Sequence, residues 1–190
     1  MFLGYIHYFR ALAITFIVAG HAIDAMVWSN VELGRLMRIL LSNGSVLFVF
    51  IAGYLFQHLS DKLSGRKYFS SKFKNVILPY LLISIPAILI SVTVFDQERV
   101  WPGFYDKPIL QQVVMFYLTG AHLAPLWFIP MITLFYLVSP LLLQADKGRL
   151  IYMLLPVFMI VSCFVGRGLP HESFVHFFSV YLMGLSLIHI

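Results

Sequence analysis

The sequence predicts an all-α fold, a polytopic bundle of transmembrane helices with about six spans, and three observations predict it. Of 190 residues, 61% are hydrophobic and only 11% charged, where a soluble domain is nearer half apolar and a quarter charged. The apolar residues fall in runs long enough, or nearly long enough, to cross a ~30 Å hydrocarbon core. The basic residues collect between those runs, as they do in membrane proteins. With 18 phenylalanines and a mean hydropathy of +0.90, a soluble fold could not cover its own core. A bilayer removes that requirement, because lipid is the outer solvent. The net charge of +5 therefore points to cytoplasmic loops, and no nucleic-acid partner is expected.

Taken in order, the first run is Tyr5–Trp28. It holds Arg10, His21 and Asp24 and no small-residue cleavage site follows it, so it reads as a retained helix and not as a signal peptide. The second run is Ile39–Leu59. The third, Val76–Phe95, contains Pro79 and Pro86, which neighbouring helices and local rearrangement make tolerable. The fourth is Pro125–Leu143, the fifth Leu150–Val165, and the sixth starts at Phe174 and is still apolar at Ile190. Ile109–Leu118, interrupted by Gln111 and Gln112, is about half a span long. It reads as an interfacial or re-entrant helix in the 96–124 connection. The single cysteine, Cys163, sits in an apolar run and excludes an internal disulfide or a multi-cysteine metal site.

Charge sets the orientation. Ser60–Asn75 carries Lys62, Arg66, Lys67, Lys72 and Lys74 against Asp61, and such a cluster belongs in the cytoplasm. The 146–149 loop falls on the same side, Asp96–Pro108 falls outside, and the amino terminus is inside. Arg35 and Arg38 also fall outside, against the rule.

The residues that could carry chemistry lie on the first helix. Arg10 and His21 are eleven residues apart, which at about 100° and 1.5 Å per residue returns them to one face roughly 16 Å apart. Asp24 lies one turn beyond His21, and His7 one turn before Arg10. Ionisable groups at membrane depth are costly and tend to face a cavity or a partner. The plainer reading places His7 and Arg10 at the headgroups and leaves His21 bonding another helix. The functional reading is acyl transfer: a histidine oriented by a carboxylate acts as general base on a hydroxyl, and an arginine holds a phosphate or polarises a carbonyl. A glycan transporter, its path lined by the same stripe, is a reading of a different class.

The stretch from Arg10-Ala11-Leu12-Ala13-Ile14 to Gly20-His21 resembles the Arg-x10-His signature of the acyltransferase-3 family of membrane O-acyltransferases. Leu47-Phe48-Val49-Phe50-Ile51-Ala52-Gly53-Tyr54 is similar to the family's aromatic second helix, with Ala52 in place of serine. Lys72-Phe73-Lys74-Asn75-Val76-Ile77-Leu78-Pro79-Tyr80 is similar to its basic run before Pro-Tyr, with lysines where arginines are usual. Leu126-Trp127-Phe128-Ile129 is similar to its Leu-Trp-Phe-Leu segment. The likeness covers residues 1–190. The family's domain is longer and has more spans, so the chain reads as its amino-terminal part, and an inactive fragment is a further reading.

The resemblance implies transfer of an acyl group, most simply acetyl, from cytoplasmic acyl-CoA to a hydroxyl of a sugar or lipid-linked glycan, in the cytoplasmic (inner) membrane. His21 would be the general base, Arg10 would position the donor, Lys72 and Lys74 would contact the CoA phosphates, and Asp24 would orient His21. His122 reads as interfacial, beside an aromatic belt, with a place lining the acceptor site as the other reading; His171 and Glu172 read as solvated, and His58 as touching headgroups. No cluster has metal-ligand spacing, so no metal is expected.

Overall fold

The computed structural model describes residues 4–41, 44–60, 65–98, 100–148 and 150–187, without the side chains of Asp24 and Leu150. Every regular element among them is helical. In order these are α1 (Gly4–Asp24), α2 (Val31–Leu41), α3 (Gly44–Leu59), α4 (Gly65–Lys72), a π-helical segment (Phe73–Ile77), α5 (Leu78–Thr93) and α6 (Ile109–Thr119). A 3-10 turn (Ala124–Trp127), α7 (Phe128–Asp146), α8 (Leu150–Met153), α9 (Leu155–Phe164) and α10 (Pro170–Ser186) follow.

Four stretches are long and apolar enough to cross a membrane: Gly4–Ile23, Val31–Leu59, Gly65–Thr93 and Ala124–Asp146. They account for the first four expected runs. The fifth and sixth runs form shorter helices among the described residues, with 10 residues in α9 and 17 in α10. At 11 residues α6 is shorter than a span, as the sequence predicts.

The basic stretch expected as a loop is different. Lys62 lies outside the described residues, but Gly65–Lys72 is helical and runs through the π segment into α5. Proline explains the π turn. Pro79 has no N–H for the Asn75 carbonyl, and in an α-helix its ring would press on that carbonyl. Widening the preceding turn relieves the conflict, and the Leu78 N–H donates to the Phe73 carbonyl, five residues back.

The chain divides into two compact units, residues 1–59 with 177–190, and residues 60–176. In the first, α1 lies along α3. Ala13 is fully buried, the Tyr5 and Tyr54 hydroxyls are 2.7 Å apart, and the Phe9 and Phe50 rings meet edge-on. The α3–α10 crossing is closer still. A Cβ on Gly53 would collide with the Tyr181 carbonyl oxygen, and one on Gly184 with the Phe50 carbonyl oxygen. Small residues that let two backbones touch are how membrane helices associate, since lipid gives no hydrophobic drive between them.

In the second unit, α6 packs on α5 around Ile88, Phe104 and Phe116. The Tyr80 hydroxyl donates to the Tyr117 carbonyl at 2.7 Å, and the Tyr117 hydroxyl to the Leu81 carbonyl at 3.2 Å. Gln112, a polar interruption in the apolar run, is buried and its amide donates to the Tyr105 and Lys107 carbonyls. It ties the preceding loop to the helix.

The orientation has a direct check. A cysteine at Ser70, in a Cys163→Ala background, should resist an impermeant thiol reagent added outside intact cells, because the surrounding cations oppose translocation. Ready labelling from outside would invert the map.

Candidate functional site

α1 is a single helix of 21 residues, so Arg10 and His21 share it as expected, about 16 Å apart along its axis. The buried residues of α1 include Ile6, Ala13 and Ile23. Arg10 and His21 lie on the flank beside that face, and both are exposed. The backbone of Asp24 ends α1, and its side chain lies outside the described set. The pairing of His21 with Asp24 therefore rests on helical spacing alone.

The acyltransferase domain of the acyltransferase-3 family matches residues 3–188. The chain belongs to the acyltransferase-3 family. No curated protein and no solved structure matches it. Membership covers nearly the whole chain, including the Arg10–His21 helix, and supports acyl transfer in a membrane as the activity.

Two features of the second unit give this acyltransferase-3 chain polar surfaces beyond α1. The first is a basic groove of about 480 Å³, lined by Arg66, Lys67, Ser70, Ser71, Lys74 and Asn75. Its residues recur every three or four positions along one exposed face of the α4–π helix. The groove divides the two lysines expected to act together. Lys74 lines it, whereas Lys72 is half-buried with its ammonium 4.6 Å from the Tyr136 ring centre and 5.5 Å from that of Tyr68. Arg66 and Lys67 join Lys74 in its place. Their spacing was present in the sequence, but it carries meaning only once the stretch is read as a helix and not a loop.

The second feature is a cavity of about 650 Å³ where three chain segments converge, with Trp101, Thr119, Trp127, Arg167 and Glu172 in its wall. Gly120 makes one side possible. It closes α6 at φ 72°, a left-handed conformation that glycine adopts freely, and a Cβ there would meet the Leu126 carbonyl at 2.6 Å. The volume suits a small-molecule site, and a few placed polar groups among aromatic walls are the usual make-up of one. Glu172, expected to be solvated, accepts the Leu169 N–H at 2.8 Å and so caps the start of α10.

His122 follows the cavity residues Gly120 and Ala121. It was expected at an interface, but it is 1% exposed and is surrounded by the Tyr80, Phe116 and Tyr117 rings. Burial holds its pKa below the ordinary 6.5, although the bond to the Phe116 carbonyl opposes the shift. Nδ1 lies 3.1 Å from that carbonyl, and a carbonyl only accepts, so Nδ1 carries the proton and Nε2 the lone pair. Among the described residues, no His, Cys, Asp or Glu cluster could hold a metal ion.

Proposed function

We propose that this chain catalyses, or forms the catalytic part of, transfer of an acetyl group from cytoplasmic acetyl-CoA to a hydroxyl of a sugar or lipid-linked glycan. The observation that carries the reading is the placement of Arg10 and His21 on one flank of a membrane helix within an acyltransferase-3 domain. Exposed Arg and His at membrane depth require a polar surface over them. A thioester donor and a hydroxyl acceptor in that covered space would meet the need.

In the proposed reaction His21 removes the acceptor hydroxyl proton as the oxygen attacks the thioester carbonyl carbon. Arg10, about 16 Å away along α1, holds the far end of the donor and positions it. When the tetrahedral intermediate collapses, the C–S bond breaks and the CoA thiolate takes the proton back from the imidazolium, leaving the ester and free CoA. The Arg66–Lys67–Lys74 groove is the natural seat for the CoA phosphates, because several cations converge there on one face. The Trp101–Trp127 cavity is the natural seat for a saccharide ring, with indole faces for its C–H surface and Arg167 and Glu172 for its hydroxyls.

Membranes carrying the protein, given acetyl-labelled CoA, should yield a labelled glycan product. A transporter would leave the glycan unlabelled, and that result would sink the proposal. The two lysines give a finer test. Lys74→Ala should raise the KM for acetyl-CoA about tenfold with kcat nearly unchanged, as expected when uniform donor binding is lost. Lys72→Ala removes contacts to two rings worth about 0.5–2 kcal/mol, so its expected effect is lower membrane abundance at an unaltered KM. Equal KM changes for the two variants would remove the distinction.

A further inference from the structure

Arg35 and Arg38 break the charge rule that orients the rest of the chain, and nothing in the proposed reaction uses them. The structure gives them a setting. Asn30 caps α2, its side-chain oxygen accepting the Leu33 N–H at 3.0 Å. The Trp28 ring lies against the backbone at Gly34, where a Cβ would meet it at 2.7 Å. Its indole N–H donates to the Ile23 carbonyl at 3.3 Å, which ties the ring to the end of α1. Between them is an open cavity of about 740 Å³ whose wall includes Met26, Trp28, Val31, Arg35 and Arg38. Among the described residues, its lining holds two guanidinium groups and no carboxylate. Leu33, Leu36 and Leu40, elsewhere on α2, are exposed.

We propose that this cavity binds the phosphate of a lipid headgroup, with a phosphate monoester preferred. Tryptophan beside arginine is the composition of a membrane–water interface, and an amphipathic helix such as α2 lays its apolar side into the acyl boundary. Arginine suits phosphate because its planar fork gives two parallel N–H donors. Two guanidinium groups three residues apart, one helical turn, match a dianion better than a monoanion. A phosphate monoester carries nearly two charges at neutral pH, whereas a phosphodiester carries one. The same chemistry could come from a bulk phospholipid or from the phosphate of a polyprenyl carrier. Met26 follows His21 by five residues, so a lipid held here sits at the His21 end of α1. The inference stands independently of acyl transfer, since it concerns binding only.

The test uses the purified chain in phosphatidylcholine nanodiscs, with bound lipid counted by native mass spectrometry. Three lipids are added separately: phosphatidic acid, phosphatidylglycerol and a polyprenyl monophosphate. The expected result is retention of phosphatidic acid or of the polyprenyl monophosphate at least tenfold above phosphatidylglycerol. Retention of both monoesters identifies the headgroup as the determinant, and retention of the polyprenyl lipid alone identifies the carrier as the source. The Arg35→Gln/Arg38→Gln variant should lose this retention at least tenfold. The Arg35→Lys/Arg38→Lys variant, which keeps the charge and serves if the glutamine pair does not fold, should keep part of it. Phosphatidylglycerol bound as well as the monoesters, or retention unchanged in the glutamine variant, would overturn the proposal. So would full retention in the lysine variant, since it would show that the forked geometry plays no part.

Discussion

Replacing His21 with alanine is expected to reduce acyl transfer by about 10²- to 10⁴-fold, the usual cost of losing a general base, with membrane abundance unchanged. The second half of that expectation comes from the structure. His21 is exposed on α1, and alanine is the better helix former, so truncation removes little packing. A histidine that only bonded a neighbouring helix would contribute about 0.6–2 kcal/mol of stability, and its loss would appear as lower abundance at normal specific activity. Transfer and abundance measured together separate the two. Arg10→Lys should also impair transfer, because an ammonium cannot reproduce the guanidinium fork. Near-normal transfer by the His21→Ala protein would end the catalytic assignment.

The second large effect is structural. Gly184→Val should cost at least the 1–3 kcal/mol, in round figures, of an overpacked core, because the group its side chain would strike is the Phe50 carbonyl, with the Tyr54 nitrogen 3.0 Å away. These are backbone atoms of α3 and cannot swing aside as a side-chain tip would. Tyr181, Leu182 and Leu185 around it are fully buried, so α10 has little freedom to slide. Gly53→Val should act similarly from the other side. The two losses should not add when combined, since both part the same crossing. The fraction of protein that survives increasing SDS is the measurement. A Gly184→Val protein as resistant as the parent would show that α3 and α10 do not touch there.

The helices were legible because hydropathy reports where a chain can meet lipid, and four of the runs read from it correspond to helices of spanning length. Helix α1 was legible in more detail, since a fixed rotation per residue puts Arg10 and His21 on one flank whatever surrounds them. Other features needed tertiary knowledge. The charge rule predicts that Ser60–Asn75 faces the cytoplasm but says nothing of its backbone, so the groove through Arg66, Lys67 and Lys74 was hidden inside an expected loop. The Trp101–Trp127 cavity brings Val100 and Trp101 to a wall shared with Arg167 and Glu172, more than sixty residues on in sequence, and no local pattern encodes that meeting. His122 misled in a different way. Beside Pro125 and Trp127 it looks interfacial, but the fold of α6 back on α5 encloses it.

The π segment before Pro79 has a consequence for the phase of the helix it interrupts. Tyr68 and Tyr80 are twelve residues apart and both are buried, at 4% and 7% exposure. In an uninterrupted α-helix twelve steps of about 100° would leave them roughly 120° out of phase. One extra residue taken up in a widened turn absorbs about one step and brings them to within roughly 20°. Tyr68 can then meet Tyr136 on α7 while Tyr80, with Ser84, Ile88 and Ser91 in register behind it, keeps the buried side of α5. Deleting a single residue between 73 and 77 would close the widened turn into regular α geometry and leave eleven steps of about 100° between the two tyrosines, so the two halves of the helix would keep their phase. Elsewhere in a membrane helix a one-residue deletion turns one half against the other by about 100°; here it would leave the basic groove on the face on which it opens.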